Sequence, residues 1–369
     1  MLGTIVRFPA FTPSGVQANA VLVQSRRHDD PRRGLPRAPR RAAETLLVLA
    51  SLALSPGACL SGASPQPSST KTTTSNPVKI ADAGGEAPRP AEEAAAPPTT
   101  AAAPLKQLPR GGRALFPIHR LVGFCGTPGA PALGELQGNL TVKAKALDAQ
   151  AAHYAQGRVI LPVFELIAVV VQSGPGQDGM YRRRVDSSVV DEYLRVARQS
   201  RALLLLNIQP GHSDFLTEVK YFESYLREPD VGVALDPEWA MKGKERPGVF
   251  YGQTTGGVLN DVAEYLSGII EQGDLPEKAL VFHEVNRGII KDEGVLRSFR
   301  GVAIIKSVDG LGPVHAKIAT YGNLMETMTA GVHPGFKLFF DEDTRNGSRL
   351  MTAKEVLALS PQPEYVMYE

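Results

Sequence analysis

Two carboxyl side chains and the only tryptophan of the chain lie together at the end of an apolar run. Asp236 and Glu238 are two residues apart, so in an extended strand both side chains project to one side, with Cα atoms roughly 6.6 Å apart. One carboxyl can then stay ionised while the other, desolvated beside Trp239 or affected by its neighbour's charge, keeps a proton and acts as a general acid. This division suits cleavage of a glycosidic bond, and Trp239 could stack on a sugar ring. The alternative is that Asp236 begins a turn before Pro237 and Glu238 faces solvent.

Further polar residues follow the other apolar, β-rich runs, where they could bind a substrate. Asn207 and Gln209 share a strand face and could donate hydrogen bonds to sugar hydroxyls or an acetamido group. Lys337 could form an ion pair inside the fold, and residues 341–343 could be a solvated charge run or a cation site. Together with Trp239, the predicted substrate-binding residues are Glu165, Asn207, Gln209, His283, Asp309 and Asp341.

The elements that must position these residues alternate between short β-rich runs and segments of helical period. This pattern indicates βα units and a parallel sheet. The predicted strands are Leu121–Cys125, Val159–Phe164, Ala202–Ile208, Val231–Leu235, Ala279–Phe282, Val302–Ile305, Gly335–Phe340 and Tyr365–Tyr368. The predicted helices are Leu140–Tyr154, Ser187–Ser200, Phe215–Leu226, Val258–Gln272, Ile289–Phe299, Pro313–Thr329 and Ala353–Leu359.

Eight strands in about 250 residues predict an α/β fold, a (β/α)₈ TIM barrel over residues 116–369 that ends on strand eight. In such barrels the chemistry lies at the C-terminal ends of the strands. A doubly wound open sheet is the main alternative. It usually carries a Gly-rich phosphate loop after strand one, and the run Gly126-Thr-Pro-Gly129 lacks that spacing.

Asp236-x-Glu238, closing the fourth predicted strand, resembles the D-x-E motif of the family 25 lysozyme-type muramidases. More loosely it is similar to the strand-four D-x-D-x-E motif of the family 18 chitinases, and both are (β/α)₈ enzymes. The resemblance implies that Glu238 is the general acid and that Asp236 assists it. It covers the strand order and three motif residues. The chain has Phe124-Cys125-Gly126 where muramidases carry another Asp at the end of strand one.

The N-terminal region has the order of an export signal. A basic run at Arg32–Arg41 precedes the apolar stretch Thr45–Leu54, which is too short to span a bilayer. Gly57-Ala58-Cys59 resembles the end of a bacterial lipobox, so we expect a signal peptide over residues 1–59, lipidation of Cys59 and a location in the cell envelope. Residues 60–115 are rich in Pro, Ala, Ser and Thr and are predicted to be a disordered linker.

The distribution of charge along the chain bears on the class of ligand. The net charge of +2 hides a basic N-terminal region and a net acidic remainder, so nucleic-acid binding is not expected. We therefore expect a cell-surface, glycoside hydrolase-like protein that acts on a wall or extracellular polysaccharide, with no cofactor and no metal. Two alternatives remain open. One is a non-catalytic glycan-binding barrel lipoprotein, and the other is a metal-dependent hydrolase that uses Glu165, Asp236, His283 and Asp341.

Overall fold

The computed structural model describes residues 105–369, and they contain a closed barrel of eight parallel strands. Each strand pairs with its neighbours along the chain, and the last strand pairs with the first, which closes the barrel. The predicted (β/α)₈ TIM barrel ending on strand eight is confirmed. The strands are β1 His119–Gly126, β2 Val159–Val171, β3 Leu203–Ile208, β4 Val231–Leu235, β5 Lys278–Glu284, β6 Val302–Val308, β7 His333–Leu338 and β8 Tyr365–Tyr368.

Helices between the strands cover the barrel from outside, and their apolar faces form the larger core cluster with alternate strand residues. Side-chain caps begin several of them; for example Thr352 and Glu355 form a reciprocal capping box. The helices are α1 Leu140–Ala151, α2 Ser187–Gln199, α3 Phe215–Tyr221, α4 Glu223–Leu226, α5 Gly256–Gly273, α6 Val314–Met325 and α7 Ala353–Leu357.

The helix predicted at Ile289–Phe299 is wrong. The segment instead forms a two-residue strand at Ile290–Lys291, paired with Thr254–Thr255, and then a short 3₁₀ turn at Glu293–Val295. Asp292 has a φ of 54°, which interrupts any helix, and the Glu293 carboxylate accepts from Nζ of Lys306 at 2.8 Å. That buried ion pair holds the segment against β6.

Strand β2 does not end near Glu165 as predicted. It runs on to Val171, with an irregularity between Ile167 and Val169, and its far end pairs with the antiparallel strand Arg182–Arg184. Glu165 therefore lies in the middle of β2, beside Cys125 of β1 and fully buried. The apolar run continues beyond this residue, and the barrel interior supplies partners for its charge.

The N-terminal mouth of the barrel is filled by residues that precede β1. Leu108 and Leu115 are buried in the same cluster as Leu121 and Leu161, and the Leu115 amide donates to Oε2 of Glu277 at 2.6 Å. The linker predicted over 60–115 is therefore too long at its C-terminal end, because apolar side chains among its last residues complete the barrel core. The predicted signal peptide, Cys59 and residues 60–104 lie outside the described residues. Within residues 105–369, no helix combines the length and apolar character needed to cross a membrane.

Candidate active site

A cavity of about 190 Å³ opens at the C-terminal end of the barrel, where the predicted chemistry is expected. Asp236, Glu238 and Trp239 line it, so the short motif that follows β4 lies on its wall. All three residues are at most 8% exposed. Of the alternative interpretation, the turn that begins at Asp236 is present, but Glu238 is buried and does not face solvent.

The local geometry of the motif differs from the predicted extended strand. Strand β4 ends at Leu235, and Pro237–Trp239 forms a 3₁₀ turn, because Pro237 cannot continue the sheet hydrogen bonding. The Asp236 amide still donates to the Ile208 carbonyl at 3.1 Å, which fixes the start of the turn. Both carboxyl groups reach the cavity through this turn and not through strand alternation.

Asp236 is held by two neutral amides from β3 and the residue that follows it. Its Oδ1 accepts from Nδ2 of Asn207 at 2.9 Å, and its Oδ2 accepts from Nε2 of Gln209 at 3.0 Å. Burial raises the pKa of the Asp236 carboxyl, and the charges of His283 and Lys337 oppose this effect. The hydrogen bonds fix the orientation of the carboxyl group and favour its ionised form.

Glu238 has a different environment. Burial raises the pKa of its carboxyl well above the usual range, and the charges of Asp236 and Asp309 raise it further. Among the described residues, its Oε2 has no hydrogen-bond partner although it is buried. Burial therefore raises the pKa of both carboxyl groups of the motif, and the pKa of Glu238 is raised further, because two amides and the charge of Lys337 oppose the shift at Asp236.

A loop from the far side of the cavity is fixed against the motif. The Gly252 amide donates to the Glu238 carbonyl at 2.6 Å. This approach requires glycine, because a Cβ at position 252 would lie 2.4 Å from the Ala240 carbonyl oxygen. The preceding residue, Tyr251, lines the cavity, and its pKa is raised by burial and by the nearby Glu238 charge.

Beneath the cavity floor lies a buried charge network centred on His283. Its Nδ1 donates to Oδ2 of Asp309 at 2.9 Å, and its Nε2 lies 3.2 Å from Oε1 of Glu165 and 3.9 Å from Oδ1 of Asp236. Burial lowers the pKa of His283, but the Asp309 and Glu165 carboxylates outweigh it and raise the pKa well above its usual value. The imidazolium therefore stabilises the carboxylates of Asp309 and Glu165 and lies near the carboxyl group of Asp236.

Lys337 completes this network, as the predicted internal ion pair. Its Nζ lies 2.7 Å from Oε2 of Glu369 and 3.4 Å from Oδ2 of Asp309. Burial lowers the pKa of Lys337, but the surrounding charges, with Glu369 the strongest, raise it well above its usual value. Glu369 also lines the cavity, and no sequence pattern singled it out.

The predicted substrate-binding residues fall into three groups. Gln209, Trp239 and Asp309 line the cavity. Glu165, Asn207 and His283 are at most 1% exposed and lie behind that wall, so they position other side chains. Asp341 is exposed and does not line the cavity, whereas its neighbour Asp343 is buried and pairs with Nζ of Lys317 at 2.9 Å.

Of the residues suggested for a metal-dependent hydrolase, the structure brings three together and leaves Asp341 apart, exposed and away from the cavity wall. The three are Glu165, Asp236 and His283. Among residues 105–369, no group of three or more His, Cys, Asp or Glu side chains has an arrangement that could hold a metal ion. Two arginines of the short strand Arg182–Arg184, which follows β2, form ion pairs within the fold. Arg182 and Arg184 both pair with the fully buried carboxylate of Glu218.

Comparison of the sequence with models of known protein families and with characterised proteins finds no match.

Proposed function

We propose that this protein is a glycoside hydrolase-like enzyme of the cell surface, which cleaves a wall or extracellular polysaccharide by carboxylate acid/base chemistry. One observation carries the proposal. Glu238 has a buried carboxyl group on the wall of the barrel-end cavity, with a strongly raised pKa and an Oε2 that no described residue satisfies. A fold gains no stability from such a group, and a raised glutamic acid pKa is what a general acid requires near neutral pH.

The proposed roles follow from the two carboxyl environments. Glu238 donates its proton to the glycosidic oxygen as the bond to the anomeric carbon breaks. Asp236, oriented by Asn207 and Gln209, is ionised and stabilises the positive charge that develops on the sugar. Water then completes the hydrolysis, and Trp239 supplies an apolar wall for the ring.

His283 supports this division from beneath the cavity. Its Nε2 lies 3.9 Å from Oδ1 of Asp236 and lowers the pKa of that carboxyl, whereas burial and then the charges of two carboxylates raise the pKa of Glu238. The arrangement keeps the proton of the pair on Glu238.

Release of reducing ends from cell-wall fractions and defined glycans by the purified protein tests the proposal. We expect Glu238→Gln to lower the rate by about 10²–10⁴-fold, the usual contribution of general acid catalysis. The matched control is Glu264→Gln, because that side chain is 69% exposed and far from the motif in the chain. Equal rates for Glu238→Gln and the unmodified protein would refute the assignment, and binding of a glycan without product would indicate a glycan-binding barrel.

We also propose that the protein is exported and attached to the membrane through a lipid on Cys59, where the apolar run and small residues resemble a lipobox. Metabolic labelling with a radioactive fatty acid tests this in the producing cell. Label on the full chain that disappears in Cys59→Ser supports the anchor, and label retained by that variant refutes it.

A further inference from the structure

The wall of the barrel-end cavity carries an excess of acidic side chains. Its lining includes five carboxyl groups and two basic groups. The acids are Asp236, Glu238, Asp309, Glu342 and Glu369, and the bases are Lys337 and Arg345. With the proton that the proposed function places on Glu238, and with the His283 imidazolium beneath the floor, four carboxylates face three cations, so the site keeps an excess of negative charge. Aromatic rings also line it.

Both basic groups are already engaged by acids of the same wall. Nζ of Lys337 lies 2.7 Å from Glu369, and Arg345 lies 3.1 Å from Glu342. An anionic sugar, such as a uronate, would have to displace one of these acids or leave its own charge unpaired in a partly desolvated site. The cavity therefore disfavours an anionic ligand.

The two carboxyl groups of the motif, Asp236 and Glu238, could bind a cation. Among the described residues, Glu238 has no basic side chain within ion-pair distance, and its Oε2 is unsatisfied and buried. Asp236 is held by amides, and its nearest cationic atom is Nε2 of His283 at 3.9 Å. Trp239 and Tyr251 also line the cavity, and aromatic rings attract ammonium groups.

We propose that the substrate is a polysaccharide whose units carry free amino groups, and that a protonated sugar amine binds between Asp236 and Glu238 with Trp239 beside it. The inference rests on the proposed function, because it assumes that a sugar enters this cavity. The ammonium group pairs with the ionised Asp236 and donates a hydrogen bond to Oε2 of Glu238, whose acidic proton stays on its other oxygen. Its charge also balances the excess negative charge of the wall.

Calorimetric titration of the full-length protein with three oligosaccharides of equal length tests the inference without requiring turnover. The probes are oligomers of glucosamine, of N-acetylglucosamine and of a uronic acid, and choline serves as an ammonium ion without a sugar. We expect the glucosamine oligomer to bind about tenfold more tightly than its acetylated counterpart, because charge-assisted hydrogen bonds exceed neutral ones by this order. We expect the uronate oligomer and choline to bind at least as weakly as the acetylated oligomer.

The preference should fall when salt is raised from about 0.05 to about 0.5 M, because screening weakens charge pairs. It should also fall in Asp236→Asn, and it should persist in Glu264→Gln. Glu238→Gln is the second variant if Asp236→Asn does not fold, and the comparison of ligands on the unmodified protein depends on neither.

Equal or tighter binding of the acetylated or the uronate oligomer would overturn the inference, as would equal binding of choline or no binding of any probe. These outcomes are separable from failure of the proposed function. If the protein prefers the amino sugar but hydrolyses no glycan, the inference stands and the proposed enzyme activity is refuted. If it hydrolyses a neutral glycan without this preference, the enzyme activity stands and the inference is refuted.

Discussion

Replacing Glu238 with glutamine should stabilise the folded protein while removing its proposed general acid. Glu238 is 8% exposed, and no described residue satisfies its Oε2. Leaving a buried polar group unsatisfied costs about 1–3 kcal/mol, and more for a charged group. Glutamine has nearly the same shape and carries no charge, so we expect Glu238→Gln to raise the free energy of unfolding by about 1–3 kcal/mol at pH 8.

The gain should depend on pH in one direction. Burial and neighbouring acids raise the pKa of Glu238 in the folded state, so the folded protein binds a proton at pH values where the unfolded chain has lost it. The stability of the unmodified protein therefore falls as pH rises from the unfolded pKa of about 4.3 through the raised folded pKa. The two proteins should be equally stable near pH 4 and diverge towards pH 8.

Denaturant and thermal unfolding at several pH values measure this difference. For a domain of this size, each kcal/mol corresponds to a change in Tm of roughly 2–4 °C. The control is Glu218→Gln, because Glu218 is also buried but its carboxylate pairs with Arg182 at 2.8 Å and Arg184 at 2.7 Å. That substitution should lower stability by about 2–4 kcal/mol, since it breaks a buried ion pair whose Arg184 is partly exposed.

A Glu238→Gln protein that is less stable than the unmodified chain at pH 8 would refute this reasoning. The same holds if its stability difference does not shrink as the pH falls. Either result would mean that Glu238 makes a favourable contact that stabilises the fold, and that its burial does not lower the free energy of unfolding.

Three further predictions concern the barrel around the site. Burial lowers the pKa of Lys278 to about 7, so the folded state binds fewer protons than the unfolded chain between pH 7 and pH 10. The free energy of unfolding should therefore rise by about 3 kcal/mol over that interval when it is compared with that of Lys278→Met, and urea unfolding measures it. His283→Gln should lower the free energy of unfolding by about 3–5 kcal/mol at pH 6, because it leaves Glu165 and Asp309 unpaired. The stabilisation that the raised pKa of His283 provides is complete below the unfolded histidine pKa of about 6.5 and is lost as the pH rises through the folded pKa, so an unchanged stability at pH 6 would contradict the ion network. Leu115→Ala should cost about 2–5 kcal/mol, because this fully buried side chain fills the barrel mouth, and calorimetric melting beside the exposed Leu105→Ala control checks it.

The parts of the fold that local pattern specifies were predicted well. Strands β4 and β8 have the predicted bounds, because a short apolar run flanked by turn-forming or polar residues permits few alternatives. The carboxyl ends of parallel strands meet at one end of a barrel, so Asp236, Glu238 and Asp309 could be placed around one opening from their strand positions.

The errors arose where distant residues determine local structure. A charged residue suggested the end of β2, but Glu165 is accommodated inside the barrel by Tyr365 and His283, which come from strands much later in the chain. Glu293 likewise lies in a segment whose sequence has a helical period, but its carboxylate pairs with Lys306 of the next strand and the segment is not a helix. The sequence also gives no sign of Glu369 or Tyr251, because a terminal residue and a loop tyrosine have no periodic pattern.

The side chains of Leu108 and Leu115 seal the barrel at the end opposite the cavity. The chain upstream of residue 105 is therefore joined to the pole of the domain that faces away from the opening. A chain that began at residue 116 would lack both leucines and leave this end of the barrel open, although every residue of the cavity wall would be kept.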